Sequence, residues 1–520
     1  MALPLPAVRL LLAMPLGLLA SGSLGETHWP MVALGGWVVY AAWLPRLPDW
    51  RACAWVASGF GLGLHGHASL WVLQSLLARH GASAWSAGLG WGTVLLYLVG
   101  LGVLAALWWQ RQRQANGLCQ ALHFGALHGL LEWSRALPFQ GEPIPGIGHA
   151  WVDTGLAGWI PWVGAHGLSS LLLAWAALAA RAFAAAQPRT GRRAGLVCAL
   201  FGTGLWLGAW LPETVQRHGP PLSYRLWSTP PGPLSASAGM GALEQFLALP
   251  AATLLVTPES TLGPAAQAID AGTWQRWQAH MQAQHSHLLL GLPVASGQGL
   301  HNSLLMLGPQ GMAVHHKHLL MPWGEYTPRG GAWLSDWLGL APLDLQPGPW
   351  PQAPFLIHPR AGGPHSVAIG SLICQEEASS PALQRWLPAA HVLVNVANLQ
   401  DFSVSGLGWQ RLRLAQVRAL EAGRPVLRAA HMAPSAHIDH RGRLLAMHTP
   451  GAPGSLHGWV QPMSGHTPYL RWLQGWLPWG GLALVGASVW SARRARATAL
   501  RAGSAAAEGG RLSACVPRRI

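Results

Sequence analysis

Three residues of different chemical type lie at the ends of short apolar runs: a carboxylate, an amine and a thiol. Glu259 ends the run LLVTPES, Lys317 lies in AVHHKHLLMPWGEY, and Cys374 ends VAIGSLICQEE. Side chains at the strand ends of an α/β protein face a crevice, while the strand fixes their backbone. A carboxylate there can take the thiol proton, the thiolate can attack a carbonyl carbon, and the ammonium can stabilise the oxyanion. The three residues therefore indicate nucleophilic acyl transfer.

Lys317 is the only lysine among 33 lysine and arginine residues. Arginine supplies positive charge and hydrogen bonds, but its guanidinium is broad, planar and always protonated. An ammonium group is compact, and its surroundings can tune its pKa. The survival of one lysine inside this motif favours a chemical role over the alternative, a chance remnant of arginine-rich codon usage.

The region 222–462 predicts the α/β layers that would position these groups. Short β-branched or leucine-rich runs alternate there with Gly/Pro turns and amphipathic stretches. One helix is predicted at Trp409–Ala422, closed by Gly423. The predicted strands are Thr253–Thr257, Leu288–Pro293, Ser303–Leu307, Ala313–His316, His365–Ile373 and His391–Val396, followed by a hairpin of Ala436–Asp439 and Arg443–Ala446.

The chain as a whole has the composition of a membrane protein, because it is 51% hydrophobic and only 10% charged. A helix that spans a bilayer needs roughly 20 predominantly apolar residues. Seven apolar segments in 1–211 and an eighth at 475–491 predict an eight-helix transmembrane bundle. The seven lie at about 8–23, 30–45, 52–76, 87–109, 118–136, 162–184 and 195–211.

Arginines occur in alternate loops between these segments, and basic loops stay in the cytoplasm. This rule places the N-terminus and a basic tail, 492–520, in the cytoplasm, and residues 212–474 on the far side of the membrane. The net charge of +15 is spread over segment ends and not gathered with aromatic residues on one stripe, which excludes nucleic-acid binding. The loop arginines are Arg46, Arg51, Arg111, Arg113, Arg181, Arg189, Arg192, Arg193, Arg493, Arg494 and Arg496.

Cys374 is the only one of the five cysteines that falls in the 212–474 domain. A structural disulfide therefore cannot form within that domain, although the compartment is oxidising. An unpaired thiol kept on that side indicates reactivity, with a small buried hydrophobic residue as the alternative. The other four are Cys53, Cys119, Cys198 and Cys515.

The segments TPES, HHKHLLMPWGEYTP and ICQEE resemble the Glu–Lys–Cys motifs of the nitrilase, or carbon–nitrogen hydrolase, superfamily. The longest of them and the flanking apolar spans resemble the bacterial apolipoprotein N-acyltransferases more specifically. The stretches LEWSRALPFQG, LAQVRALEAGRPVLRA and GHTPYLR extend this resemblance over nearly the whole chain. It implies a nitrilase-like αββα sandwich in 212–474, carried on the eight-helix transmembrane bundle.

The resemblance implies roles for the three reactive residues. Glu259 is the expected general base, Lys317 the oxyanion-stabilising lysine and Cys374 the nucleophile. Glu325 and Glu376 match further acidic active-site positions, with structural carboxylates as the alternative. Asn398 matches the position that follows the strand HVLVNV.

The implied reaction has two steps at the inner membrane, on its periplasmic side, and needs no cofactor. Cys374 takes an acyl chain from a phospholipid as a thioester, and the α-amine of a diacylglyceryl-cysteine apolipoprotein then accepts it. The stretch GGAWLSDWLGLAP predicts a lipid-facing lid with Trp333 and Trp337 at the bilayer interface. A buried amphipathic helix is the alternative for that stretch. We expect the protein to be a monomer.

The sequence departs from the family pattern around the expected acyl pocket. Gln375 stands where the family has an aromatic residue, and 398–403 reads NLQDFS in place of Asn-Asp-Ala-Trp-Phe-Gly. The stretch YRLWSTPPGP lacks the usual strand-and-glutamine pattern. A diverged relative with another substrate, such as the nitrilase-like membrane proteins of plasmid conjugal transfer, therefore stays open.

Two other functions and a metal site are alternatives to acyl transfer. A membrane-tethered amidase predicts a polar, water-open pocket without an apolar lid. A non-enzymatic scaffold predicts no need for the three reactive residues. His315, His316 and His318 suggest metal ligands, but no acidic or cysteine partner lies at zinc spacing, so we expect no metal site.

Overall fold

The computed structural model describes most of the chain but not its tail. The predicted tail 492–520 lies outside the described residues apart from 493, 494 and 497, and so do Arg113, Arg496 and Ser403. The described residues are 4–22, 29–80, 83–112, 117–138, 141–142, 144–184, 188–228, 236–263, 269–340, 342–359, 365–380, 389–402, 406–450, 452–473, 475–491, 493–494 and 497.

The N-terminal region is helical, with helices at every predicted apolar segment. The helices are Leu5–Ser21 (α1), Pro30–Trp43 (α2), Trp50–Ala68 (α3), Leu70–His80 (α4), Ala84–Gln110 (α5), Gly117–Ser134 (α6), Ile160–Ala184 (α7) and Pro188–Trp206 (α8). The third predicted span, 52–76, is divided into α3 and α4 at Ser69. The Ser69 hydroxyl donates to the His65 carbonyl at 2.6 Å and accepts from the Trp91 indole, which stabilises the break.

Helix length does not establish the eight-span bundle. Among the described residues, two helical stretches are long and apolar enough to cross a bilayer, Ala84–Gln110 and Gly155–Ala184. The first exposes Leu96 and Leu104, at 73% and 65%, as a lipid-facing helix does, whereas the second is largely buried. The length of α8 is similar to that of a membrane-spanning helix, but its first six residues, PRTGRR, include three arginines. Its sequence is therefore less apolar than that of α5.

The strands of the described chain all lie after the N-terminal helices and form two six-stranded sheets and a two-stranded ribbon. The first sheet has the strand order β13-β2-β3-β4-β5-β6, the second has the order β12-β11-β10-β9-β8-β7, and β1 pairs with β14. The strands are Val215–Arg217 (β1), Leu222–Ser228 (β2), Leu254–Val256 (β3), His287–Ser296 (β4), Gly299–Gly308 (β5), Gly311–His316 (β6), Phe355–Ile357 (β7), Val367–Ile373 (β8), Val392–Asn398 (β9), Val426–His431 (β10), Ser435–Ile438 (β11), Leu444–His448 (β12), Gly454–Val460 (β13) and Met463–Gly465 (β14).

The two sheets pack face to face, with one helical layer outside each. Leu289 of the first sheet and Ile369 of the second lie in the same buried apolar cluster. The helices of this region are Ala236–Leu247 (α9), Ala271–Gln284 (α10), Ala332–Leu338 (α11) and Leu407–Ala422 (α12), and a last helix covers 477–491 (α13). α9 and α10 cover the first sheet, and α12 covers the second. The αββα sandwich predicted from the sequence is therefore present.

The predicted strands and the predicted helix are confirmed, with ends displaced by a few residues. Strand β2 nevertheless forms in the stretch whose sequence lacked the expected pattern, because it pairs with β3 on one side and β13 on the other. Strand β10 was not predicted, since Arg428 interrupts its apolar run. The structure buries that guanidinium completely and pairs it with Glu377, which makes a charged residue compatible with a central strand.

Candidate active site

Two of the three predicted reactive residues are in direct contact, and the third is their electrostatic neighbour. Lys317 directly follows β6, Glu259 lies three residues beyond β3, and Cys374 directly follows β8. The Lys317 Nζ is 3.4 Å from the Glu259 Oε1. The charges of both groups act on the pKa of the Cys374 thiol. Segments that follow three strands of the two sheets thus carry the carboxylate, the ammonium and the thiol, with the first two in contact and close enough to the third to act on its pKa.

Lys317 is almost completely buried between two carboxylates. Its Nζ lies 2.8 Å from the Glu325 Oε2, in addition to its contact with Glu259. Burial acts to lower the lysine pKa, but the charges of Glu325 and Glu259 outweigh it and hold the pKa above its ordinary value. The side chain is therefore an ammonium at neutral pH, and it is held in one position by its partners.

Asn302 on β5 joins the two carboxylates and was missed from the sequence. Its amide Nδ2 donates to Glu259 Oε1 at 2.6 Å and to Glu325 Oε1 at 2.7 Å. Its backbone carbonyl accepts from the Lys317 N–H at 2.8 Å. The only signal available was its place in HNSLLML, one position before the predicted strand that pairs with the strand before Lys317.

The remaining contacts orient Glu259 and Glu325 through backbone N–H groups. Asn398 donates its backbone N–H to Glu259 Oε2 at 2.7 Å, and Met321 donates its own to Glu325 Oε2 at 2.7 Å. The predicted supporting residue Asn398 thus contributes its main chain, while its side-chain oxygen accepts from the Gln400 N–H. Both acidic side chains are buried.

Cys374 occupies a strained backbone conformation at the start of a short 3₁₀ helix, Cys374–Ala378. Its φ of +50° lies in the left-handed region, which non-glycine residues adopt at an expense of about 1–2 kcal/mol. The residue keeps some exposed surface, but burial of the thiol, reinforced by Glu259, raises its pKa to about 12, whereas Lys317 and Arg411 act to lower it. The sulfur is therefore a neutral thiol at rest.

Glu376 connects the turn after Cys374 to the chain that follows Lys317. Its Oε2 accepts from the Ile373 N–H at 2.8 Å, and its Oε1 accepts from the N–H groups of His318 and Leu319 at 2.9 and 3.2 Å. Complete burial raises the pKa of this carboxyl to about 7, while the same backbone donors act to lower it. The carboxylate thus orients backbone around both the nucleophile and the lysine.

One departure from the family pattern, Gln375, contacts this same backbone. Gln375 donates its side-chain amide to the Leu319 carbonyl at 3.2 Å, so it adds a third hydrogen bond between the two loops. In the altered 398–403 run, Phe402 packs edge-on against Trp71 of α4, with ring centroids 5.8 Å apart. A helix of the N-terminal region therefore supports the loop whose first residue orients Glu259.

The predicted lid forms the short helix α11 and exposes its tryptophans. Trp333 is 68% exposed and Trp337 is 47% exposed. The alternative, a helix that buries these rings within the protein, does not agree with these exposures. Two large apolar rings on one short helix form a surface that suits contact with a lipid interface.

The three neighbouring histidines do not form a metal cluster in the part of the chain that the structure describes. The His316 Nδ1 lies 2.7 Å from the Ser303 hydroxyl, and the His318 Nδ1 lies 2.7 Å from the Gly348 carbonyl. Burial lowers the pKa of His315 to about 4, with smaller contributions from the other two rings, so that ring is neutral.

Comparison with known proteins identifies the family. Residues 229–461 match the carbon–nitrogen hydrolase family, and residues 16–173 match the apolipoprotein N-acyltransferase N-terminal domain. The apolipoprotein N-acyltransferase of Azotobacter vinelandii is 30% identical and covers 88% of this chain and 89% of its own. A CN-hydrolase superfamily structure from Xanthomonas campestris covers 47% of this chain and 91% of its own at 15% identity, but its TM-score of 0.33 is too low to bear on function. The apolipoprotein N-acyltransferase of Ralstonia nicotianae is 30% identical over 97% of both chains, and this chain therefore belongs to the apolipoprotein N-acyltransferase family.

Proposed function

We propose that this protein is an N-acyltransferase of the bacterial inner membrane. Its acyl donor is a phospholipid, and its acceptor is the N-terminal amine of a diacylglyceryl-cysteine apolipoprotein. Relatives that carry the name apolipoprotein N-acyltransferase align with this chain from the helical region through the sandwich, which supports the reaction and the acceptor. The acyl group passes through a thioester on Cys374.

One observation supports the mechanism: the buried Glu259 and Lys317 lie 3.4 Å apart, and the charges of both act on the pKa of the Cys374 thiol. In the first step the Glu259 carboxylate takes the thiol proton while the sulfur attacks the ester carbonyl carbon of the phospholipid. The C–S bond forms, and the carbonyl electrons move to an oxyanion that the Lys317 ammonium stabilises. The ester C–O bond then breaks, and the proton held by Glu259 leaves on the alcohol of the lysophospholipid.

In the second step the neutral α-amine of the apolipoprotein attacks the thioester carbonyl. The amide C–N bond forms as the C–S bond breaks, and Glu259 transfers the ammonium proton to the departing sulfur, which restores the thiol. A thioester is activated towards amines, and a site poor in water suppresses its hydrolysis. The exposed Trp333 and Trp337 support access from lipid, which favours this reaction over amidase chemistry on a small soluble substrate.

The pKa shifts agree with this division of labour. Lys317 stays protonated because Glu325 and Glu259 outweigh the effect of its burial on the pKa, so it can act as a cation but not as a base. Cys374 is a thiol at rest, because burial raises its pKa to about 12. Proton removal must therefore accompany the attack on the ester, and the carboxylate beside the ammonium is the group that can accept the proton.

The membrane arrangement is part of the proposal. Seven helical spans in 1–211, with α3 and α4 together forming the third, and an eighth span in 475–491 cross the bilayer. Residues 212–474 are the periplasmic catalytic domain, and 492–520 is a cytoplasmic tail. Alternate arginine-rich loops and the apolar exposed side of α5 support this arrangement. The protein acts as a monomer on its two lipid substrates and uses no cofactor.

Complementation tests the function. The wild-type gene is expressed in a strain depleted of its own apolipoprotein N-acyltransferase, beside Cys374→Ala and Lys317→Arg. We expect growth with the wild type and with neither variant, at equal protein levels in the membrane. Failure of the wild type to rescue, together with hydrolysis of a soluble amide by the purified protein, would contradict the proposal and favour an amidase.

The thioester itself is tested with purified protein and a phospholipid that carries a labelled acyl chain. We expect label on the wild type that hydroxylamine removes, and none on Cys374→Ala. Addition of a peptide that begins with diacylglyceryl-cysteine should move the label to the peptide amine. Label that stays on the protein in its presence would contradict the second step.

A further inference from the structure

The strained turn at Cys374 has a second support on the side away from Glu376. A left-handed conformation persists at a non-glycine residue only when the surrounding structure fixes it. Glu376 holds the start of the 3₁₀ helix Cys374–Ala378. The last two carbonyls of that helix, those of Glu377 and Ala378, accept hydrogen bonds from elsewhere in the chain.

Arg418 on α12 supplies one of these bonds. Its side chain is 0% exposed, and its Nε donates to the Glu377 carbonyl at 2.8 Å. The same guanidinium donates through Nη2 to the Glu142 Oε1 at 2.6 Å and through Nη1 to the Glu421 carboxylate. The planar fork of arginine allows one side chain to bind a carbonyl and two carboxylates at once.

Glu142 reaches the turn from the connection between α6 and α7, outside the sandwich. Its backbone N–H donates to the Ala378 carbonyl at 3.0 Å, beside the carbonyl that Arg418 holds. Its carboxylate lies 2.7 Å from the His149 Nε2 and 3.3 Å from the His166 Nε2. Burial acts to raise its pKa, but His149, His166 and Arg418 outweigh burial and hold the pKa well below the ordinary value.

Glu421 continues the network into α7. Its Oε1 accepts from the Ala165 N–H at 3.1 Å, and its Oε2 accepts from the Ser380 hydroxyl at 2.9 Å. The Ala165 N–H lies beside Gly164, whose φ of +69° interrupts α7. A buried set of charges therefore joins the kink in an apolar helix to the segment that follows the nucleophile.

We propose that Glu142 and Arg418 are positioning residues through which the helical region holds Cys374 in its reactive conformation. This inference rests on the proposed acyl transfer. We assign neither side chain a contact with the acyl chain. The Arg418 guanidinium acts on the Glu377 carbonyl, and the Glu142 carboxylate acts by holding that guanidinium and, with it, the backbone whose N–H binds the Ala378 carbonyl. Loss of either side chain therefore displaces the sulfur from the ester carbon and from Glu259. A displacement of about 1 Å lowers the rate of a positioned reaction on the order of 100-fold.

The test compares full-length variants in phospholipid-containing micelles. Arg418→Lys keeps the charge but loses the fork, and Glu142→Gln keeps the backbone bond to Ala378 but loses the carboxylate. Arg413→Met is the matched control, because Arg413 on the same helix pairs with Asp153 of the helical region and its ion pair does not involve the nucleophile turn. For each variant the rate of thioester formation, the KM for phospholipid and the melting temperature are measured.

We expect Arg418→Lys and Glu142→Gln to lower the rate constant of thioester formation by roughly 10- to 100-fold, with KM within about twofold of wild type. Arg413→Met should stay within about twofold in both constants. If the two variants form the thioester at the wild-type rate per folded molecule, the network has only a structural role and the inference is wrong, even if their melting temperatures are lower. If Arg418→Lys does not fold, the rate measured for Glu142→Gln is the test. If the wild type forms no thioester, the proposed function fails instead.

Discussion

Replacement of Lys317 by methionine separates the electrostatic role of the ammonium from its structural one. The change leaves Glu259 and Glu325 joined only through the Asn302 amide, whose Nδ2 lies 2.6 and 2.7 Å from them. Removal of one partner from a buried ion pair destabilises a protein by roughly 3–5 kcal/mol. Loss of one oxyanion donor lowers kcat by on the order of 10²–10³-fold. Lys317→Met should therefore lose both stability and activity.

The double variant Lys317→Met/Glu325→Gln distinguishes the two losses. It restores the net charge of the buried site, since one cation and one anion are removed together. We expect the melting temperature to recover most of the way to that of the wild type. The rate of thioester formation should stay low, because the ammonium that stabilises the oxyanion is missing.

The assay measures hydroxylamine-sensitive acyl label on Cys374 over time, together with thermal unfolding of the same samples. Glu325→Gln alone is the control, and it should keep the ammonium near Glu259. Recovery of the rate in the double variant to within about tenfold of wild type would refute the role given to Lys317. It would mean that the lysine serves mainly to neutralise Glu325.

Three further changes test other parts of the site. Glu259→Gln should lower the pKa of the Cys374 thiol, because Glu259 helps to raise that pKa. The variant should therefore react faster with iodoacetamide than the wild type, although it no longer forms the acyl thioester. A fall in both the alkylation rate and the acylation rate would contradict this prediction. The pKa of Glu376 is raised to about 7 in the folded protein, so ionisation of this carboxyl opposes folding. As the pH rises from about 4.5 to 7, the melting temperature of the wild type should therefore fall relative to that of Glu376→Gln. A difference in melting temperature that does not change with pH would contradict the raised pKa. Trp333→Ala should lower the rate on vesicle phospholipid at an unchanged melting temperature, whereas Trp459→Ala, a 67% exposed residue on β13, should not; equal effects would remove the case for a lid.

Local pattern predicted the strands that carry the reactive groups, because apolar runs such as VAIGSLI and HVLVNV need no distant partner to be recognised. The position of Asn302 between two carboxylates depends on the register of β5 against β6, which sequence periodicity does not encode. Buried arginines were equally hidden, because a charged residue in a strand is compatible with burial only when its partner is known. Arg428 and Glu377 meet across 51 positions of chain.

The same distance limit explains why the departure at Gln375 looked disruptive in the sequence. Its side-chain amide donates to the carbonyl of Leu319, 56 positions away along the chain. In 398–403, the two residues that match the family pattern contact distant segments, because the Asn398 N–H binds Glu259 and Phe402 contacts Trp71 of α4. The contacts that orient Glu259 and that join the Cys374 turn to Leu319 are therefore present.

Burial of the thiol has two opposite consequences for the proposed reaction. It raises the pKa of Cys374 to about 12, which keeps the nucleophile uncharged and makes proton removal by Glu259 part of the attack. It also withdraws the resulting thioester from water, so hydrolysis is slow until an amine arrives. A thiol with a low pKa in an open pocket would attack the ester faster, but water would then hydrolyse the thioester that it forms. The raised pKa, the buried lysine and the supports on both sides of the turn are thus consistent with an enzyme that must hold an acyl chain between two substrates.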